Sequence, residues 1–385
     1  MSKLSQGSYS VNFADYVRDL EQKGKNIIKL QTGDPFFSTH SSIITTAISA
    51  MNSGKTKYCD SQGLLEFRKA ICKKLLSANS IDASVSNILV THGAVQGLSI
   101  ILNYLIDDGD ECLILEPYWR AYEANTKINN GNPIILEPDS NNKFDLDVSK
   151  LKSKITKRTK AIIINTPNNP SGAIYKESEL KELYELADKE DFFIISDEVY
   201  ESITYDDNKH FSIGSLEKKP NRVISLFSFS KTYSMTGWRI GYIHASSKLI
   251  GEFLKFNQFN ITSVPEFSQL ACLEALQGTE SATYIKEMNS YYNENRLLII
   301  KMLKGTWLEN ATIIPSGSFY CLIKFEDTQD DPLFLAKKIV DEVGVSLTPG
   351  IAFGDNMKNY LRLCFACQRD MLKDAIRRLV NYNTT

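Results

Sequence analysis

The chain has 385 residues, 43 % of them hydrophobic and 23 % charged, the proportions of a globular protein long enough for more than one domain. Its 44 Lys and Arg against 46 Asp and Glu leave a net charge of −2, which provides no general attraction for nucleic acid or an anionic bilayer. No apolar run approaches the about 18 residues of a membrane span, and the polar Met1–Ser10 lacks the apolar core of a signal peptide.

The first 45 residues read as irregular, with Gly33-Asp34-Pro35 as the clearest turn. Beyond them, short β-rich runs alternate with helical patterns. The runs are Ile88–Thr91, Cys112–Leu115, Pro133–Leu136, Ala161–Asn165, Phe192–Ser196, Val223–Phe227 and Ile240–His244. Several are apolar throughout, as strands covered on both faces are. Helices are expected at Leu64–Ala78, Val95–Leu105, Glu177–Lys189 and Glu266–Gln277. The alternation predicts an α/β domain, a mostly parallel sheet with helices on both faces.

A different region begins near Gly278. Ser281–Leu303 is one long helical pattern without Gly or Pro; strand-like Ser318–Phe325, a helix at Pro332–Val343, strand-like Tyr360–Phe365 and a helix at Arg369–Asn381 follow. These predict a smaller α+β domain whose short sheet recruits the N-terminal segment. The expected division is 46–280 for the large domain, and 1–45 with 281–385 for the small one. Seven cysteines make an odd count, and Cys364 and Cys367 read as core-facing thiols, with no metal site expected. Free thiols suit a reducing, cytoplasmic setting.

Five segments carry candidate chemistry. Ser228-Phe-Ser230-Lys231-Thr232, followed by Gly237-Trp-Arg239, places hydroxyls and a guanidinium around a lysine. That set suits an imine to a phosphate-bearing aldehyde, because cationic neighbours and burial free the amine for attack. Ser196-Asp197-Glu198-Val199-Tyr200 puts acids just past a buried strand, where α/β sheets bind ligands, although Asp197 equally suits a helix N-cap or a turn. Thr166-Pro-Asn-Asn169-Pro-Ser-Gly172 is a strong turn that can fix an amide over a pocket. Thr91-His92-Gly93-Ala94-Val95 joins a strand to a helix whose N-terminal N–H groups can meet an anion, with His92 read as structural. Arg362, inside the apolar Tyr360–Leu363, either meets a carboxylate or faces water at a sheet edge.

Together these segments resemble the class I, aspartate-aminotransferase-like, fold-type-I pyridoxal 5′-phosphate (PLP) enzymes. The resemblance runs nearly the whole chain in family order, from Leu30-Gln-Thr-Gly33-Asp-Pro through Tyr58-Cys-Asp-Ser-Gln-Gly63, Glu116-Pro-Tyr-Trp119, Asn169-Pro-Ser-Gly and the motifs above to Pro349-Gly-Ile-Ala-Phe-Gly354 and Tyr360-Leu-Arg362. It implies fold type I: a seven-stranded large domain plus a small domain from both termini. It implies that Lys231 is the Schiff-base lysine and proton shuttle, and that Asp197 pairs with the pyridine nitrogen. Tyr200 and Asn169 resemble donors to the phenolic oxygen, and Trp119 the aromatic stacked on the ring. Arg239, Ser228, Ser230 and the backbone at Gly93, Ala94 and Val95 resemble the phosphate cradle. Tyr58 resembles the tyrosine that reaches a partner subunit's phosphate, which implies a homodimer with shared sites. Arg362 resembles the grip on the substrate α-carboxylate, with Gly33, Trp119 and Asn169 beside it.

The implied reaction moves the α-amino group of an amino acid to a 2-oxo acid through an external aldimine. The same residues would serve elimination, replacement or cyclisation on a modified, possibly cationic, amino acid. A non-catalytic binding protein on this scaffold would have lost the lysine, the aspartate or the phosphate arginine, and all three are present. No arginine lies between Lys255 and Pro265, and Val95 stands where some relatives carry lysine, so a preference for aspartate or glutamate is not expected. Arg120, beside Trp119, reads as solvent-facing. Phe36-Phe37 reads as an aromatic lid or as a packed N-terminal segment.

Overall fold

The structure is a computed structural model that describes residues 9–138, 144–217, 222–325 and 331–382. Seven strands form its main sheet: β1 Ile88–Thr91, β2 Glu111–Leu115, β3 Asn132–Leu136, β4 Thr159–Asn165, β5 Phe193–Asp197, β6 Val223–Ser228 and β7 Gly241–His244. Their order is β1-β7-β6-β5-β4-β2-β3. Every pairing is parallel except those of β7, which is antiparallel to β1 and β6.

Both faces of this sheet are covered, which is why its strands carry no polar alternation. Cys112, Ile114, Ala161, Ile163, Ile195 and Leu226 pack with Leu98, Ile101, Leu249 and Phe253 of helices Gly93–Leu105 and Ser247–Asn260. Their neighbours Leu113, Ile162, Ile164 and Ile194 pack on the other side with Leu180, Leu183 and Ala187 of helix Glu177–Glu190.

The chain termini build a second body of structure. Ile28–Lys29 pairs parallel with Val345–Ser346. A four-stranded antiparallel sheet runs Thr348–Pro349, Tyr360–Cys364, Tyr320–Lys324, Thr312–Ile313. Helices Thr279–Leu303, Phe334–Val343 and Arg369–Val380 contribute Tyr292, Ile339 and Ile376 to the core beneath it. Cys364 and Cys367 are buried, and burial pushes both thiols up.

The expectation of an irregular first 45 residues does not hold. Helix Tyr9–Gln22 buries Phe13, Val17 and Leu20, an i, i+4, i+7 stripe short enough to pass as scattered apolar residues. Helix Ser41–Asn52 packs on Glu266–Gln277 and runs through residue 45. Of the two roles left open for Phe36 and Phe37, the structure shows packing: Phe36 stacks on Tyr291 at 5.5 Å and Phe37 meets Tyr291 and Tyr292 edge-on.

Candidate active site

A cavity of about 520 Å³ opens where β4, β5 and β6 end, with Asn165, Asp197 and Ser228, their last residues, in its wall. Parallel strands all deliver their carboxyl ends to one edge, so residues far apart in sequence meet there. Asp197 is 4 % exposed. One carboxylate oxygen accepts from the Tyr122 hydroxyl at 2.7 Å and the other from the Val199 N–H at 3.3 Å. Asn165, its register partner on β4, donates to the Asp197 carbonyl at 2.9 Å. Burial outweighs these donors and pushes the Asp197 carboxyl up to about 6. The adjacent Glu198 is different: burial opposes its ionisation too, but His210 and Ser212 hold it below the usual range.

Beyond β6 the chain turns into the short helix Phe229–Thr232, capped by Ser228, whose hydroxyl accepts from the Ser230 N–H. This turn aims Lys231 back into the cavity. Its Nζ donates to the Gly33 carbonyl at 2.6 Å. Desolvation, helped by the charges of Arg362 and Arg239 and opposed by Asp34, lowers the amine to about 8.

Arg239 lines the cavity and donates to the Thr236 carbonyl at 2.9 Å. Its guanidinium lies against Gly93 so closely that a Cβ there would sit 2.6 Å from Nη2, and Gly93 also has φ +73°. The positive φ favours glycine, and the missing Cβ leaves room for the guanidinium where it lies. Ala94 and Val95, in the first turn of the following helix, line the same wall. At the opposite wall Arg362 is 7 % exposed and donates to Asn169 Oδ1 (2.8 Å), the Gln31 carbonyl (2.7 Å) and Thr348 Oγ1 (3.1 Å). Its Nε–H is buried with no partner among the described residues. Trp119 and Tyr200 complete the lining.

These facts decide the family. Residues 25–379 match the model for aminotransferase class I and II. The chain is 36 % identical to an aspartate aminotransferase of Pyrococcus abyssi over 94 % of its length and 92 % of the relative's. It is 34 % identical, with the same coverage, to aromatic-amino-acid aminotransferase 2 of Thermococcus litoralis. A solved aspartate aminotransferase of Thermus thermophilus superposes with TM-score 0.93 at 30 % identity, covering 99 % of this chain and 98 % of that one.

The chain belongs to the class I and II aminotransferases. It is a PLP-dependent aminotransferase of fold type I. The aminotransferase's cavity fits the family's cofactor on two observations. Asp197 is a buried carboxylate whose raised pKa calls for a cation, which a ring N–H⁺ would be. The close approach of Arg239 to Gly93 leaves a cationic cradle at the helix N-terminus that suits a phosphate.

Of the residues expected from sequence, Gly33, Ala94, Val95, Trp119, Asn169, Asp197, Tyr200, Ser228, Ser230, Lys231, Arg239 and Arg362 all line the one cavity, and Gly93 backs it. Tyr58 stands outside it, 86 % exposed. The reading of Arg120 as solvent-facing is corrected. It reaches the cavity wall, and all five of its N–H donors are used: Nε and Nη2 on the Ile351 carbonyl, Nη2 on Asp355, Nη1 on Glu123 and the Tyr118 hydroxyl. Its partners from residues 351–355 cannot be read from the local sequence. Among the lining residues that escaped the sequence reading are Tyr122, Asn165 and Tyr320. Tyr122 follows Trp119 at helical spacing, a signal that was available. Asn165 is the polar end of an apolar strand, as Asp197 is. Tyr320 gave no local signal.

Proposed function

We propose that this aminotransferase holds PLP through Lys231 and Asp197 and uses it to pass the α-amino group of an amino acid to a 2-oxo acid. The observation that carries this reading is a desolvated lysine amine in the same cavity as a desolvated, cation-poor carboxylate and a half-satisfied arginine. When bound, PLP supplies an aldehyde that captures amines and a pyridinium that accepts the electron pair left at Cα.

The chain's own residues do the rest. Asp197, oriented by Tyr122, holds the proton on the ring nitrogen. Asn165 fixes the strand end that carries Asp197, and through its Oδ1 it accepts from the Asn169 N–H at 2.8 Å. Arg239, Ser228, Ser230 and the N–H groups at Gly93–Val95 hold the phosphate. Tyr200 and Asn169 would donate to the phenolic oxygen, and Trp119 would cover the ring. Arg362 takes the substrate carboxylate with its uncommitted N–H groups, near the Gly33 backbone. A substrate held there would bring its Cα toward Lys231 Nζ, which would take the Cα proton. An amine of about 8 is partly neutral near neutral pH, as a base must be.

Arg120 has no donor left for a second carboxylate, and Phe13, Ala14, Val95 and Phe353 line the wall together with Ser10, Thr32 and the acidic Asp34. Donors with uncharged side chains are therefore expected to outrun aspartate. A large domain near 46–280 and a small one from both termini would have the cavity between them, with helix Ser41–Asn52, which packs on Glu266–Gln277, going with the large one. Ile44, Ile48 and Met51 form an exposed stripe on helix Ser41–Asn52; with the bare Tyr58 it supports a second copy of the chain against this face. Seven unpaired thiols suit the cytoplasm. The test is a donor panel: purified enzyme with PLP, each amino acid and a 2-oxo acid acceptor, with oxo-acid product measured by mass spectrometry and the oligomer by light scattering. Failure of every donor to yield its oxo acid would refute transamination, and a monomer would refute the shared site.

A further inference from the structure

Tyr320 opens the strand Tyr320–Lys324 and is 1 % exposed. It touches three parts of the site at once. Its hydroxyl lies 2.8 Å from the Tyr200 hydroxyl. Its ring lies 4.1 Å from the Arg362 guanidinium carbon, with Phe353 as a second ring at 4.9 Å. A side chain at Gly33, whose carbonyl holds Lys231, would overlap the Tyr320 hydroxyl.

A merely structural role would need only the ring. Burying a hydroxyl is costly unless it is hydrogen-bonded, so the oxygen is kept for its bond to Tyr200. Two phenols share one bond, and one of the two protons is left over. Tyr320 lies directly against the Arg362 cation. The guanidinium carbon stands 4.1 Å from the Tyr320 ring, and a cation that close to a phenol strengthens its O–H as a donor. With Tyr320 as donor, Tyr200 accepts and keeps its own proton for a partner in the cavity it lines.

We infer that Tyr320 is a positioning residue: its hydroxyl donates to Tyr200 so that Tyr200 donates to the cofactor's phenolic oxygen, and its ring sets the plane of Arg362 for the substrate carboxylate. This rests on the reading of the site given above. One side chain thereby ties the electronic tuning of the cofactor to the recognition of the substrate.

The test uses purified holoenzyme and two substitutions. Tyr320→Phe keeps the ring and removes the donor. Tyr320→Leu removes both. The first readout is the pH midpoint of the visible absorbance change of the bound cofactor, which needs no turnover. In Tyr320→Phe the midpoint is expected to rise by about 0.5 pH unit, since a weakened donor chain stabilises the phenolate less. KM for the amino acid stays within about twofold there, and rises at least about tenfold in Tyr320→Leu, where the cation–π contact is lost. Because Tyr320 acts through Tyr200, adding Tyr320→Phe to Tyr200→Phe moves the midpoint no further. An unchanged midpoint in Tyr320→Phe, or full additivity in the double variant, overturns the inference. A wild-type protein that binds no chromophore overturns the reading of the site beneath it, and the two failures are told apart by the wild-type spectrum.

Discussion

Replacing Asp197 by Asn tests the electrostatics of the site apart from turnover. Before any cofactor binds, the Asp197 carboxylate is buried with one phenol and one backbone N–H as donors, and its pKa stands at about 6 instead of 3.8. That gap corresponds to about 3 kcal/mol at 1.36 kcal/mol per pH unit. The folded pKa is the higher one, so this contribution to stability is fully present below about pH 4 and is lost as the pH rises through about 6. Asparagine has no charge to desolvate and accepts the Tyr122 hydrogen bond through its carbonyl oxygen. The apo forms should therefore diverge: between pH 4 and pH 7 wild type loses up to about 3 kcal/mol relative to Asp197→Asn. With PLP the order reverses, because wild type gains a cation opposite the carboxylate and the variant gains none. Urea denaturation of both proteins at both pH values, with and without PLP, measures the double difference. Parallel pH dependences in the apo proteins would refute the argument that Asp197 is held as an unpaired anion. A variant with wild-type kcat would refute its role at the ring nitrogen.

Arg362→Ala should raise KM for the amino acid by about 30- to 5,000-fold, equivalent to about 2–5 kcal/mol, while PLP still binds; steady-state kinetics with the best donor checks this. Arg120→Ala should lower stability by about 1–3 kcal/mol because Glu123 and Asp355 lose their partner, with KM for a neutral donor changed by less than about threefold; a selective loss of dicarboxylate turnover would instead make Arg120 a substrate cation. Uptake of PLP by the apo enzyme should quicken about tenfold per pH unit up to about pH 8 and level off above it, because Lys231 attacks as the neutral amine and its pKa is about 8; stopped-flow absorbance follows it, and a plateau beginning near pH 10 would contradict the lowered pKa.

The large sheet was legible in the sequence because its central strands are mostly apolar and end in polar residues that line the cavity. Ala161–Ile164 followed by Asn165, and Phe193–Ile195 followed by Ser196-Asp197, mark both the strand and the edge where it stops. Lys231, Arg239 and Arg362 were legible because a cation in a small-residue turn or an apolar strand needs a reason to be there. The N-terminal helix was missed because its buried face is three residues long and flanked by charges. Arg120 and Tyr320 were opaque for a different cause. What each does is set by partners more than a hundred positions away, Asp355 for Arg120 and Tyr200 for Tyr320, and local pattern carries no trace of such pairs. Tyr122 lay between: it stands three residues from Trp119 and meets that ring edge-on, but that its hydroxyl reaches Asp197 came only with the fold.

Borohydride trapping tests whether the amine of Lys231 carries the cofactor. Purified enzyme incubated with PLP, reduced with borohydride and digested should yield one phosphopyridoxylated peptide, spanning Ser228–Arg239 and modified at Lys231, and Lys231→Ala should yield none. Label on a different lysine, or an unlabelled Lys231 peptide from yellow wild-type protein, would contradict that attachment.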